Sequence, residues 1–297
     1  MYIKNIKNYF IATRPWSFSM SFISVIIGSL LALRNGSISI CALVLTLIGT
    51  ILVHAASNVL NDYYDTKYSV DTPKAPTAKY RPHPIIEGYL SKREVLYEAI
   101  ILYVLAFISG VILAVFYSYK IIYICILALL ISIFYTGKPI SLKYKATGEL
   151  AVFVIWGPLM VSGAYLVQRD ILSIDAILIS IPQGLLVALV LFANNARDIE
   201  FDRDRKIKTL GMVQGGHKNI KIFIGFIALT YIYTLLLIIF NVFSLLALII
   251  FLSLPFAIKL CKEFKEGFPD AADALTSKLV VLYGGLLCIV LVLEKII

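Results

Sequence analysis

The sequence predicts an all-α integral membrane protein: nine transmembrane helices with polar cap loops gathered at the cytoplasmic face. Three observations support that expectation. Apolar residues make up 60% of the 297-residue chain, charged residues only 15%, and mean hydropathy is +0.89, which excludes an ordinary soluble domain. Nine apolar runs recur along the chain, each on the order of the 20 residues that a helix needs to cross the hydrocarbon core. Finally, the cations sort by side. If nine spans alternate, the N-terminus and the loops after the second, fourth, sixth and eighth spans hold 23 of the 27 Lys and Arg residues; the other face holds Arg34, Lys120, Arg169 and Lys295. The rule that cytoplasmic loops are cation-rich then places the N-terminus in the cytoplasm and the C-terminus outside. Most of the net charge of +9 is this topological signal, so no nucleic-acid partner is expected.

The elements follow in order. Met1 to Arg14 is a polar lead-in without a signal-peptide cleavage pattern. Spans at 16–33 and 38–58 follow, the second ending in a run of amides and acids. Loop 61–94 contains Thr72-Pro73, Ala75-Pro76 and Arg81-Pro82-His83-Pro84, which forbid a continuous helix; 72–84 is expected to form a lid. Ser91 and Glu94 form a capping box that opens the span at 95–117. Spans at 121–136, 149–168 and 174–193 come next. A second polar loop, 195–219, precedes spans at 220–240, 242–258 and 276–293. No polar stretch is long enough to bury a core of its own, so 1–297 is expected to be one polytopic domain in the cell membrane. Cys41, Cys125, Cys261 and Cys288 lie in or beside spans without metal-ligand spacing and read as packing residues.

Acids are scarce, 18 in the chain, yet Asp62, Asp65, Asp71, Glu149, Asp198, Glu200, Asp202 and Asp204 crowd into or beside three short loops. Carboxylates beside hydrocarbon are costly and imply a ligand. On a helix, His54, Asn58, Asn61 and Asp65 are spaced four, three and four apart and share one face, with Asp62 close to the same stripe. Asn194, Asp198 and Asp202 repeat the spacing of four. The two clusters follow spans two and six, a weak internal symmetry. Such hard oxygens suit magnesium, which takes one or two carboxylates and leaves its other positions to phosphate and water. Arg197, Arg203, Arg205 and Lys206 flank the second cluster, and Lys67, Arg81 and Lys143 could add cations. Acids for a metal beside cations for phosphate oxygens are what diphosphate chemistry requires. No phosphate loop, GxGxxG, HExxH or GxSxG motif is present. His54 shares the site-facing stripe, while His83 and His217 read as loop histidines. A cation transporter is the competing class, but its sites belong near the bilayer midplane and not at helix ends amid Arg and Lys.

These residues carry a resemblance. Asn61-x3-Asp65 followed by Asp71, with Asp198-x3-Asp202 after span six, resembles the UbiA superfamily of intramembrane prenyltransferases. So do Arg81-Pro82-His83-Pro84-Ile85, Tyr135-Thr136-Gly137 with Lys143-Tyr144, and Asp202-Arg203 with Thr209-Leu210. Asn194-Asn195-x-Arg197-Asp198 and Asn61-Asp62-Tyr63-x-Asp65 are most similar to the branch that prenylates dihydroxynaphthoate in menaquinone synthesis. Ser69 and Lys206 stand where that branch commonly has glycine. The resemblance implies nine helices around a central cavity and two magnesium ions held by Asn61, Asp65, Asp198 and Asp202, with Asp62 and Asp71 as further candidate ligands. Asn58, Lys67, Arg81, Tyr135, Lys143, Asn194, Asn195 and Arg197 are the candidate substrate contacts. The partners implied are a prenyl diphosphate, a lipophilic or aromatic acceptor and the bilayer. The alternative acceptor is geranylgeranylglyceryl phosphate. A long prenyl tail requires lateral entry from lipid, and Gly157, Ser162, Gly163, Ala164, Gly284 and Gly285 are the small residues that could leave a gap.

Overall fold

A computed structural model of the chain describes residues 6–73, 81–203, 208–214 and 218–297. Every apolar run becomes helical: α1 (Pro15–Arg34), α2 (Ile40–Lys67), α3 (Lys92–Phe116), α4 (Ile121–Thr136), α5 (Gly148–Arg169), α6 (Ile174–Arg197), α7 (Lys218–Ile239), α8 (Leu245–Glu266) and α9 (Ala272–Ile296). Eight of them are long and apolar enough to cross a membrane. The ninth, α4, has 16 residues, about 24 Å at 1.5 Å per residue, less than the roughly 30 Å of a hydrocarbon core. The expectation of nine full spans thus resolves into eight and one short apolar helix.

Serines open several of these helices by accepting a first-turn N–H that would otherwise lack a partner. Ser39 caps α2, Ser173 caps α6 and Ser244 caps α8. Ser91 and Glu94 form the expected capping box of α3, with Ser91 N donating to Glu94 Oε2 at 2.7 Å.

α6 is the central helix, with 72% of its apolar stretch buried against 28% for α2 and for α3. It packs on α5, α7 and α9, while α1 lies between α5 and α9. α2 and α3 pair along their length and turn Ile100, Val104 and Ile108 outward, as a lipid-facing surface must.

Small residues set the closest crossings. A Cβ on Gly184 would lie 2.8 Å from the Phe153 carbonyl oxygen and 3.0 Å from Gly157 Cα, and one on Gly28 would lie 2.2 Å from the Val161 carbonyl. A Cβ on Gly284 would lie 2.3 Å from Ile23 Cγ2. Gly157 and Gly284 therefore seat α5 on α6 and α9 on α1, and they correct the expectation that these positions leave a lateral gap. Gly163 differs; it lines a cavity, with Ile124 Cγ2 3.4 Å from its notional Cβ.

Pro158 lies in a π-helical turn, Ile155–Leu159, within α5. Proline has no N–H to donate to the preceding turn, and the helix widens there. Trp156 occupies that turn and faces the cavity.

Candidate active site

A cavity of about 950 Å³ runs along α2 from Thr46 to Asp65, about 28 Å of helix. Arg14, Asn58, Asn61, Asp65, Asp71, Arg81, Lys143 and Asn194 line its polar part. Leu113, Ile121, Cys125, Leu129, Gly163 and Val167, from α3, α4 and α5, line its apolar part.

Asn61 and Asp65 face this space together. Lys143 Nζ donates to Asp65 Oδ2 at 2.5 Å and to Asn61 Oδ1 at 3.1 Å, and the Tyr144 hydroxyl donates to the other Asp65 oxygen. Both donors come from the turn Leu142–Tyr144 between α4 and α5. Burial and the adjacent Asp65 carboxylate raise the Tyr144 phenol above its ordinary range, so it stays a donor.

Asp62 departs from the stripe. One residue is about 100° of helix, and Asp62 turns away from Lys143 toward Arg14 and Arg81, whose guanidiniums share its Oδ1, the latter at 3.2 Å. α2 ends at Lys67, Ser69 takes a left-handed backbone at φ 58°, and the chain folds back so that the N–H groups of Val70 and Asp71 donate to the Asp65 carbonyl. Asp71 accepts from His83 Nε2 at 3.1 Å and lies 3.8 Å from Arg81. Burial opposes its ionisation, but the His83 hydrogen bond, Lys143 and Arg81 outweigh it and hold the carboxyl well below the usual range. Asp62, Asp71 and His83 offer ligand atoms within 4.8 Å of one another, a spacing that could hold a cation. Two guanidiniums already neutralise them, which disfavours a further cation there. His83, read from sequence as a loop histidine, is fully buried in this cluster. The lid expected over 72–84 has its middle, 74–80, outside the described residues.

In the second motif Arg197 forks onto Asp198, Nε at 2.7 Å and Nη2 at 2.8 Å, and also reaches Asn194 Oδ1 at 2.9 Å, Asp273 at 3.2 Å and the Asp270 carbonyl at 2.8 Å. That side chain is 4% exposed and ties the end of α6 to the start of α9. Asn195 donates to Glu149 Oε1 at 2.9 Å, seating α6 on α5. Asp202 lies on the short helix Ile199–Arg203. Burial pushes its carboxyl up to about 7; Lys143 pulls it down, and Asp198, Asp65 and Asp71 push it up. Those influences place both motifs within electrostatic reach around Lys143. The backbone closes the same link: Lys208 N donates to the Tyr144 carbonyl and Ala146 N to the Lys208 carbonyl.

The structure therefore gathers Asn58, Asn61, Asp65, Asp71, Arg81, Tyr135, Lys143 and Asn194 around one cavity, whose lining does not include Asp198 or Asp202. Asn195 and Arg197 are instead tied into the helix ends behind it. Lys67 is exposed, its ammonium 5.6 Å from the Tyr63 ring and 5.8 Å from that of Tyr64. Arg205 and Lys206 lie outside the described residues. Sequence reasoning missed Arg14, whose charge had been counted as a topology signal.

His54 sits in a hydrogen-bond chain between Ser17 and Ser21. Ser17 spends its hydroxyl proton on the Arg14 carbonyl at 2.8 Å, so it can only accept from His54 Nε2 at 3.2 Å and from Asn58 Nδ2 at 3.1 Å. Trp156 Nε1 donates to Ser21 Oγ at 3.1 Å, and Ser21 in turn reaches His54 Nδ1 at 2.8 Å. His54 Nε2 thus carries a proton, and its bond to Ser17 supports the backbone elbow from which Arg14 enters the cavity.

Residues 21–292 match the UbiA prenyltransferase family. The chain is 30% identical over 281 residues to UbiA prenyltransferase domain-containing protein 1 of Xenopus tropicalis, spanning 93% of this chain and 79% of that protein. It is 28% identical over 254 residues to 1,4-dihydroxy-2-naphthoate octaprenyltransferase of Bacillus subtilis (strain 168), spanning 86% and 81%. Among solved structures, the fold is similar to a UbiA homolog from Archaeoglobus fulgidus bound to GPP and Mg2+, with TM-score 0.69, 14% identity, and 98% and 100% of the two chains covered. It is also similar to a digeranylgeranylglyceryl phosphate synthase, with TM-score 0.67, 18% identity and 98% of each chain covered. A multi-pass helical bundle, an acidic helix end lining its cavity and a family match across nearly the whole chain lead to one conclusion: this protein belongs to the UbiA prenyltransferase family.

Proposed function

We propose that this enzyme transfers an isoprenoid chain from a prenyl diphosphate to an aromatic quinone precursor of the dihydroxynaphthoate type, with magnesium. The observation that supports it most directly is the cavity itself: acids, amides and cations at one end, hydrocarbon at the other, the polarity of a prenyl diphosphate. The Bacillus subtilis relative supports the acceptor. Asn61, Asp65 and Asp202 are buried oxygen donors of the kind magnesium takes, and they would hold it; Asp198 would join them once its two oxygens leave the Arg197 fork. When bound, magnesium neutralises the charge that develops on the diphosphate leaving group. Arg81 and Arg14 add guanidinium donors from the wall. The Tyr135 and Trp156 rings face the space where the allylic carbon would carry positive charge, which aromatic faces stabilise. The apolar wall excludes water from it. The deciding assay offers purified enzyme, magnesium and labelled geranylgeranyl diphosphate either dihydroxynaphthoate or geranylgeranylglyceryl phosphate. Product from the second acceptor alone would replace this reading with ether-lipid synthesis.

Asp62 anchors two arginines. Asp62→Asn should raise KM for the prenyl diphosphate about tenfold, the equivalent of about 1.4 kcal/mol, and move the magnesium concentration for half-maximal rate by less than about twofold. A large magnesium shift would return Asp62 to the ligands.

A proton competes with metal at Asp202. Burial pushes its carboxyl up to about 7, so the charged form that metal requires is lost as pH falls. The magnesium requirement should rise between pH 8 and 6, approaching about tenfold per unit below 7. A flat requirement over that range would contradict it.

The cation asymmetry orients the chain with its N-terminus and both acidic motifs in the cytoplasm. In a cysteine-free background, Glu87→Cys and Val213→Cys, both at exposed positions, should react with an impermeant maleimide from the same side. Opposite-side labelling would end the assignment.

A further inference from the structure

We propose that Lys143 occupies the place of a metal: its ammonium holds Asn61 and Asp65 in the arrangement a divalent cation uses, and it moves onto the diphosphate when metal and substrate arrive together. The inference rests on the reading of Asn61 and Asp65 as metal ligands and adds what must leave for the metal to enter.

Three features of the site carry it. The Lys143 ammonium bridges Asp65 Oδ2 at 2.5 Å and Asn61 Oδ1 at 3.1 Å, a carboxylate and an amide oxygen one helical turn apart on α2. These are the atoms that magnesium would approach to about 2.0–2.1 Å. An ammonium within hydrogen-bonding distance of both would stand inside the coordination sphere, so the two cations exclude each other. Next, the side chain can leave without unfolding its loop. The backbone on either side is fixed independently, by Ser141 N on the Gly137 carbonyl before it and by the Lys208 pairing with Tyr144 and Ala146 after it. The flexible four-carbon stem of lysine then moves alone. Finally, Lys143 lines the cavity, so the displaced ammonium turns toward the volume that the diphosphate would fill.

A consequence is coupling between ligands. Metal alone must evict an ammonium from a buried carboxylate and leave it without a partner. Metal arriving with diphosphate supplies phosphate oxygens as the new partner. Each ligand therefore tightens the other, and the coupling is reciprocal.

The test is binding, read without turnover. Mn2+ titrations followed by electron paramagnetic resonance would compare wild type, Lys143→Met, Lys143→Arg and Asp65→Asn, with and without a prenyl thiolodiphosphate. We expect Lys143→Met to bind Mn2+ alone about tenfold more tightly than wild type and to gain little from the thiolodiphosphate. Lys143→Arg keeps a cation at the site and should behave like wild type, which separates charge from fold. If Lys143→Met binds Mn2+ alone no better than wild type while melting at the same temperature, the exchange is overturned; if it melts lower, Mn2+ binding by Lys143→Arg about tenfold tighter than wild type overturns it equally. If Asp65→Asn binds Mn2+ like wild type in the presence of the thiolodiphosphate, the ligand assignment fails and the exchange fails with it.

Discussion

Asp65→Asn should abolish prenyl transfer, lowering kcat/KM by at least about 100-fold, the equivalent of about 2.7 kcal/mol. The carboxylate does two things at once. It is the most enclosed acid on the cavity wall, with its side chain 1% exposed, and its two oxygens receive Lys143 and Tyr144. An amide of the same shape keeps one acceptor oxygen, offers an N–H to the Tyr144 side, and brings no charge to a divalent cation. Altering groups that merely orient metal ligands typically costs 10–100-fold; loss of a ligand's charge should exceed that. The variant should still insert, because the helix and its cap are unchanged. Turnover of labelled geranylgeranyl diphosphate in proteoliposomes, titrated with magnesium, is the measurement. Full wild-type turnover in EDTA, or more than half the rate retained by the variant, would remove Asp65 from the metal.

Gly163→Trp should separate substrates by length. Gly163 borders the apolar part of the cavity, and the nearest side chains to its notional Cβ, Ile124 and Ile121, stand at 3.4 and 3.5 Å. An indole there fills space that a long prenyl tail needs, while a five-carbon chain leaves it empty. Each methylene kept from burial costs about 0.8 kcal/mol, so excluding only four raises the relative barrier for geranylgeranyl diphosphate by about 3 kcal/mol, a factor of over about 100. Rates with dimethylallyl diphosphate should change by less than about fivefold. Gly284→Trp is the control. Its Cβ would collide with Ile23 at the α1–α9 contact, so it should depress expression and both activities alike. Equal loss with both donors at Gly163 would show that the tail lies elsewhere.

Much of this architecture could be read directly because a bilayer simplifies the code. Helix positions follow from hydropathy, and the Ser91–Glu94 cap follows from two residues at the right spacing. The polar ends of α2 and α6 stood out because acids are rare. Orientation within a motif was harder. Spacing placed Asn58, Asn61 and Asp65 on one face, which the cavity respects, but Asp62 was grouped with them although about 100° of helix separates it from Asn61. What turns Asp62 is Arg14, 48 residues earlier, and no local pattern announces such a partner. His83 and Asn195 failed to declare themselves for the same reason: each is explained by a carboxylate distant in the chain, Asp71 and Glu149. Gly157 and Gly284 erred in the other direction. Composition can say that a residue is small; it cannot say whether a neighbouring helix has already filled the room, as Ile23 has beside Gly284.

The pairing of Tyr144 and Ala146 with Lys208 bears on how such a protein can be remodelled. The two halves of the chain repeat a layout, each with an acidic helix end, and resemble exchangeable modules. The α4–α5 loop prevents that. Its side chains serve the first half, through Asp65 and Asn61, while its backbone serves the second, through Lys208. A chimera joined within residues 142–146 would separate a lysine from the carboxylate it was selected to meet, or a backbone from the strand-like partner it was shaped to follow. Crossovers placed after α5 inherit the connector whole, and only they should give hybrids that keep Lys143 on Asp65.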